Sequence, residues 1–420
     1  MKKTLVLLLI VAVTGGLFAQ ATLSGQIYGN AVLGQGSSFK DADGDYTVDP
    51  TAGGTMGRIR IEVSAQDKTG TIGAWGRFES GWTFDANNAF GLPPGTLPAA
   101  TFGGEGGAVA AYGYAFWQPI DWFRLQVGVN PDGHFGASCI SRWDFYDLAG
   151  DVGVVTENWL FSDAFYAGFG SFGSVLTLTP VKDLAINVGV PFEAMDGDRA
   201  INVYKSTNAQ VAYTIEGVGD VKVNYAGDIN DTIFDDTGAF SPNPATIYGY
   251  FDYSAVQDLN VELGVGYKFA IKNEGNEYTP PVSIGLGASY KTGPFGIKVR
   301  VMGQFAEKFA PKVGDDEKGN TVIVADILPN YAINDSLTVY LSAGLNFSKP
   351  DSADPSVFNG YSLTASSDSV LGWHVNPYIS KTIGDGAFLA GFRVESDGSK
   401  DLNGDKFVTW SVPIAISYSF

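Results

Sequence analysis

The sequence predicts an all-β protein: a single closed antiparallel barrel that crosses a membrane. Three observations predict it. They are an N-terminal export leader, amphipathic alternation with a period of two through the rest of the chain, and long strands joined by alternately short and long connections. Composition supports this class. Gly is 54 of 420 residues, hydrophobic residues are 45% and aromatics 13%, too apolar for a disordered chain and without the three-residue period of collagen. Lys+Arg 26 against Asp+Glu 45 gives a net charge of −19, which repels nucleic acid and excludes it as a partner.

The leader comes first. Lys2 and Lys3 form a positive start, Leu5 to Val13 is an unbroken apolar run, and Ala19-Gln20-Ala21 offers small residues for cleavage. That run falls well short of the roughly 20 residues a spanning helix needs. Residues 1–19 are therefore expected to be a signal peptide, and residues 20–420 the barrel.

The strands follow. Leu259, Val261, Leu263, Val265, Tyr267, Phe269 and Ile271 place seven apolar residues on one face, with Asn260, Glu262 and Lys268 among those between. At a 45% apolar background such a run has a chance of about 0.004 per start. It recurs from Leu337 to Phe347 and from Val408 to Phe420, and in shorter form at Ile59–Val63 and Leu184–Val190. Many segments run for about 10–16 residues, longer than the five or six usual in sandwiches, as tilted bilayer-crossing strands do. The second face is small and polar rather than another apolar layer. In hydrocarbon an open sheet edge costs several kcal/mol per unpaired backbone group, so the sheet must close.

The connections give the count. Short turns are expected at Asp67–Gly70, Pro119–Trp122, Pro180–Asp183, Gly217–Asp220, Val256–Asp258, Thr292–Pro294, Ile333–Ser336 and Ile383–Gly386, all rich in residues suited to tight turns. Long, mostly acidic connections lie between them, and the alternation joins 18 strands, with 16 as the alternative. Short turns would face the periplasm and long loops the exterior. Tyr112, Tyr114, Phe116, Trp117 and Trp122 near strand ends suggest an interfacial aromatic girdle.

The polar face carries the functional candidates. Arg58 and Arg60 share a face opposite Ile59 and Ile61, and Arg77 lies on the adjacent strand, so the three are expected on the inner wall. The segment from Pro131 to Asp163 is about 32 residues, far beyond ordinary loop length. It holds Trp143, Phe145, Tyr146 and Trp159, which need something to pack against, together with Asp144, Asp147, Asp151 and Glu157.

The close of the chain, Ile414-Ala415-Ile416-Ser417-Tyr418-Ser419-Phe420, with outward aromatics and a terminal Phe, resembles that of the porin-like outer-membrane barrels of bacteria. The resemblance is one of pattern and covers essentially the whole mature chain. It implies residence in the outer membrane as a multi-pass barrel among its lipids. It makes Tyr418 and Phe420 a signal read by the outer-membrane insertion machinery, and a homotrimer the expected assembly. It also implies that loop 132–163 folds into the lumen as a constriction, setting Asp144, Asp147, Asp151 and Glu157 against Arg58, Arg60 and Arg77. The loop departs from the family in lacking Pro-Glu-Phe-Gly.

Other chemistry is weakly signalled. Asp41–Asp45 and Asp401–Asp405 lack the residue pattern of a hand-type calcium loop, and Gly103–Gly107 is followed by no Lys-Ser/Thr. His134 and His374 are the only imidazoles, Cys139 is alone, and no Gly-x-Ser-x-Gly frames a nucleophile, so neither an enzyme nor a metal or other cofactor is expected. The expected function is passive diffusion of small hydrophilic solutes and ions, weakly cation-preferring because acidic loops crowd the mouth. Two alternatives stay open. One is a saccharide-specific channel using inward aromatics such as Trp75, Tyr340, Tyr378 and Phe407; the other is a surface adhesin with a plugged lumen.

Overall fold

The computed structural model describes residues 20–38, 51–84, 101–102, 110–130, 134–137, 167–169, 172–192, 206–227, 245–273, 276–310, 318–350, 370–396, 406 and 408–420. The expected leader and most long connections lie outside these residues.

Eighteen antiparallel strands close into one barrel. They are β1 (Gln20–Ser37), β2 (Thr51–Gln66), β3 (Ile72–Phe84), β4 (Ala110–Ile120), β5 (Phe123–Val129) and β6 (Phe172–Leu178). β7 (Leu184–Pro191), β8 (Asn208–Ile215), β9 (Gly219–Ala226), β10 (Thr246–Tyr253), β11 (Leu259–Lys268) and β12 (Val282–Thr292) continue the wall. β13 (Phe295–Ala310), β14 (Lys318–Asn334), β15 (Leu337–Pro350), β16 (Val370–Ile383), β17 (Gly386–Gly391, resuming as Arg393–Ser396) and β18 (Thr409–Ser419) complete it.

Each strand pairs with its sequence neighbour, and β18 returns to β1 with Ile27 opposite Tyr418. The seam ends in two reciprocal bonds: the Gly25 N–H donates to the Phe420 carbonyl at 2.8 Å, and the Phe420 N–H to the Gly25 carbonyl at 3.0 Å. Closure leaves no open edge among the described strands, which is what hydrocarbon demands.

All eight short turns stand where Pro, Gly, Asp and Asn suggested. In six of them the residue that enters the left-handed region is identifiable: Gly70, Gly217, Gly293 and Gly384, and the non-glycines Asp183 and Asp258 at φ 67° and 62°. Gly reaches this region without a Cβ clash, and Asp tolerates it through its short acceptor side chain.

Alternation assigns the faces. Leu263, Val265, Leu286, Val301, Leu345 and Ile416 are exposed on the outside, while Gln126, Gln210, Asn224, Ser283, Arg300 and Asn376 are buried on the inside. Exposed Trp117, Trp122, Tyr213, Tyr290, Tyr331 and Tyr418 stand outside close to the short turns, as an interfacial belt requires. Tyr112, Tyr114 and Phe116 do not join that belt. Their register opposite Arg77, Trp75 and Gly73 turns them inward, because the period of two places them on the face opposite Trp117. The long run at 259–271 also breaks after Lys268. A short hairpin, Ile271–Asn273 with Asn276–Thr279, continues it, and Ile271 is buried instead of lipid-facing.

Candidate functional site

The inner wall from β2 to β5 interleaves charge with aromatic rings. The register sets Arg60 opposite Glu79, Glu62 opposite Arg77, and Ser64 opposite Trp75. Arg77 meets Glu62 through both Nε and Nη2 at 2.7 Å, so the predicted basic residue carries its own counter-charge. The Arg77 guanidinium also lies 5.2 Å from the centroid of Trp75, which stacks on Tyr114 at 5.3 Å and 26°. Farther toward the short turns, Arg124 sits 4.0 Å above the Phe116 ring. Arg124 escaped notice in the sequence, although the Phe123-Arg124-Leu125-Gln126-Val127 alternation marks it as inward.

From β6 to β9 the wall is an amide ladder. The Thr177 hydroxyl donates to Asn187 Oδ1 at 2.7 Å, the Asn187 amide to Gln210 Oε1 at 3.0 Å, and the Gln210 amide to Asn224 Oδ1 at 3.1 Å. Each link joins adjacent strands and satisfies buried polar atoms that would otherwise destabilise the wall. Strand 134–137 pairs with 167–169 in a separate two-stranded sheet that lies against β8 and β9. The outward Val211 and Val223 keep 48% and 49% of their surface, whereas the inward Gln210 and Asn224 keep 5% and 1%.

The opposite wall holds a buried charge row. Arg300 Nε donates to Asp326 at 2.5 Å across β13 and β14. His374 Nε2 lies 3.9 Å from Asp326 and 3.3 Å from the Ser342 hydroxyl. Gly344 stands in register between Asp326 and His374, and a Cβ there would collide with both. Its absence lets the two side chains approach across an intervening strand. Arg393 pairs with Glu395 at 2.8 Å on β17. Beside this row Met302, Val322, Val324 and Leu328 face inward and are buried.

The structure brings Arg60 and Arg77 onto neighbouring strands of the inner wall, and Arg58 stands on β2 in register with Gly81. Asp144, Asp147, Asp151 and Glu157 lie outside the described residues, as do Cys139 and Phe407. Tyr418 and Phe420 stack outside at the seam, ring centroids 6.4 Å apart.

No family model and no curated protein matches this sequence. Solved structures do. OpdQ of Pseudomonas aeruginosa superposes with a TM-score of 0.52 at 10% identity, over 96% of this chain and 99% of that one. OpdL of the same organism gives 0.52 at 10% identity with the same coverage. The outer membrane protein OpdK, also from that organism, gives 0.51 at 10% identity, over 96% of this chain and 100% of that one. The fold is that of the outer-membrane porins. At such identity the likeness extends to the porin fold and not to any solute. The apolar outer face, aromatic belt and closed wall agree with a multi-pass barrel of the outer-membrane type.

Proposed function

We propose that the protein is a passive diffusion channel of the bacterial outer membrane, passing small hydrophilic solutes and ions without acting on them chemically. One observation carries this reading. The described wall turns most of its apolar residues outward and sets Arg60, Glu62, Arg77, Arg300 and Asp326 inside, an arrangement suited to lipid around water. The reading includes loop 132–163 as an in-folded constriction. On this reading Asp144, Asp147, Asp151 and Glu157 face Arg58, Arg60 and Arg77, and the support is that the flanking strands 134–137 and 167–169 lie against β8 and β9. It includes Tyr418 and Phe420 as the assembly signal and, by resemblance to porins, a homotrimer.

The reading also includes a weak cation preference. Three pairs on the wall, Arg77–Glu62, Arg300–Asp326 and Arg393–Glu395, cancel part of its own charge. The chain's net charge of −19 then dominates at the mouths. Planar-bilayer recording of the purified protein tests both parts. Stepwise conductance with a reversal potential on the cation side of zero is expected under a salt gradient. An anion-side reversal removes the selectivity claim, and absence of steps removes the channel.

A further inference from the structure

Carboxylates on the inner wall are held in two ways. Glu62, Asp326 and Glu395 each meet an arginine, at 2.7, 2.5 and 2.8 Å. Asp220 on β9 and Asp252 on β10 do not. They stand opposite each other in register near the short-turn end, on the face of the buried, inward Asn224. What donates to them is neutral: the Thr214 hydroxyl to Asp220 at 2.6 Å, and the Asn260 amide to Asp252. Among the described residues neither aspartate pairs with a base. Lys222, on the same face of β9, turns its ammonium to 5.4 Å from the ring centroid of Tyr250, the residue opposite it on β10. A cavity of about 390 Å³ lies along this stretch, lined by Asp220, Lys222, Thr214, Ala185 and Ala212, which leaves room for hydrated ions beside Asp220. Lys182, also lining the cavity, is already paired with Asp183 at 3.6 Å and Glu216 at 3.2 Å.

We propose that Asp220 and Asp252 are specificity-determining residues that set the channel's cation preference, and that Tyr250 preserves it by keeping the Lys222 ammonium from neutralising them. The inference rests on the channel reading and deepens it. A carboxylate that accepts from a hydroxyl or an amide keeps its full charge, whereas one paired with an arginine is cancelled. The face of a tyrosine attracts an ammonium about as strongly as an exposed ion pair does, so the ring competes with the aspartates for Lys222. Two carboxylates against one diverted ammonium leave net negative charge on β9 and β10. Between low-dielectric walls such a charge concentrates cations and thins out anions along the path.

The experiment measures the potassium-to-chloride permeability ratio from reversal potentials of the purified protein in planar bilayers. Asp220→Asn and Asp252→Asn should each lower the ratio by about twofold, the effect of one unit charge acting through a few ångströms of water. Lys222→Met should raise it. Tyr250→Leu changes no formal charge and should still lower it, because Lys222 is released toward the aspartates, whereas Tyr250→Phe keeps the ring face and should match the parent. Asp335→Asn, in an exposed turn at the same end, should leave the ratio unchanged and guards against a general effect of lost charge. A nitroxide on Ala212→Cys, in a Cys139→Ser background, reads the local potential by collision with cationic and anionic paramagnetic agents, whether or not the pore conducts. Parent-like ratios in both aspartate variants overturn the proposal and leave the channel standing. A Tyr250→Leu ratio equal to that of Tyr250→Phe overturns it as well. An excess of cationic collisions that both aspartate variants and Tyr250→Leu lose, without any conductance, upholds the field of the pair and removes the channel. Equal collision rates in parent and variants, without conductance, overturn both.

Discussion

Gly25 is small because Phe420 occupies its space: a Cβ there would collide with the terminal ring and come within 2.8 Å of the Arg60 carbonyl. Gly29, on the same outer face, has nothing within 4 Å of its would-be Cβ. Gly25→Val is therefore expected to destabilise the seam by about 1–3 kcal/mol, while Gly29→Ala folds like the parent. The fraction of heat-modifiable barrel on unboiled gels compares them, and equal fractions would refute the slot. The ion pairs differ in the same residue-by-residue way. Arg77 and Glu62 are 22% and 28% exposed, so Glu62→Gln should cost at most about 1 kcal/mol yet move the reversal potential toward anions. Arg300 and Asp326 are 7% and 1% exposed, and Arg300→Met, which strands a buried carboxylate, should cost about 3–5 kcal/mol. Denaturant unfolding of the two variants separates these costs; similar losses would contradict the burial argument.

Elements were the level most legible in the sequence, for physical reasons. Period-two alternation and turn chemistry are local, so Leu259–Lys268, Leu337–Pro350 and turns such as Asp67–Gly70 were readable without knowing any partner. What depended on register was not. Glu62 meeting Arg77, Gly344 opening a path from Asp326 to His374, and Tyr340 stacking on Tyr378 all require knowing which residues stand opposite across strands. The break of β17 at Phe392 and the separate 134–137 hairpin lacked a local signal as well. The first turn yields a pH prediction. The Thr69 hydroxyl at 2.5 Å and the Ile72 N–H at 3.0 Å both donate to the Asp67 carboxylate, and the Thr69 bond is foremost in holding its pKa below the ordinary carboxylate range. A depressed pKa means the contribution is complete above the unfolded value near 3.9 and is lost as pH falls through the lower folded value. Amide exchange at Ile72 should accordingly be slow at pH 5 and quicken, after correction for intrinsic rates, only below that range; early loss near pH 5 would rule the cap out.

For the whole molecule the decisive matter is what fills the lumen. An 18-stranded wall by itself leaves a wide opening, yet inward Met302, Val322 and Val324 are buried like core residues, and strands 134–137 and 167–169 lie against β8 and β9. Cys139 is only two residues beyond the first of these strands. If that segment forms the constriction, attaching a bulky maleimide to Cys139 should lower single-channel current by a clear fraction. A small methylthio group should lower it less, and Cys139→Ser should abolish both effects. Labelling confirmed by mass with no change in current would place the segment outside the conducting path. The narrowing would then belong to the barrel wall itself, with Arg77, Glu62 and Trp75 as its first contacts for solute.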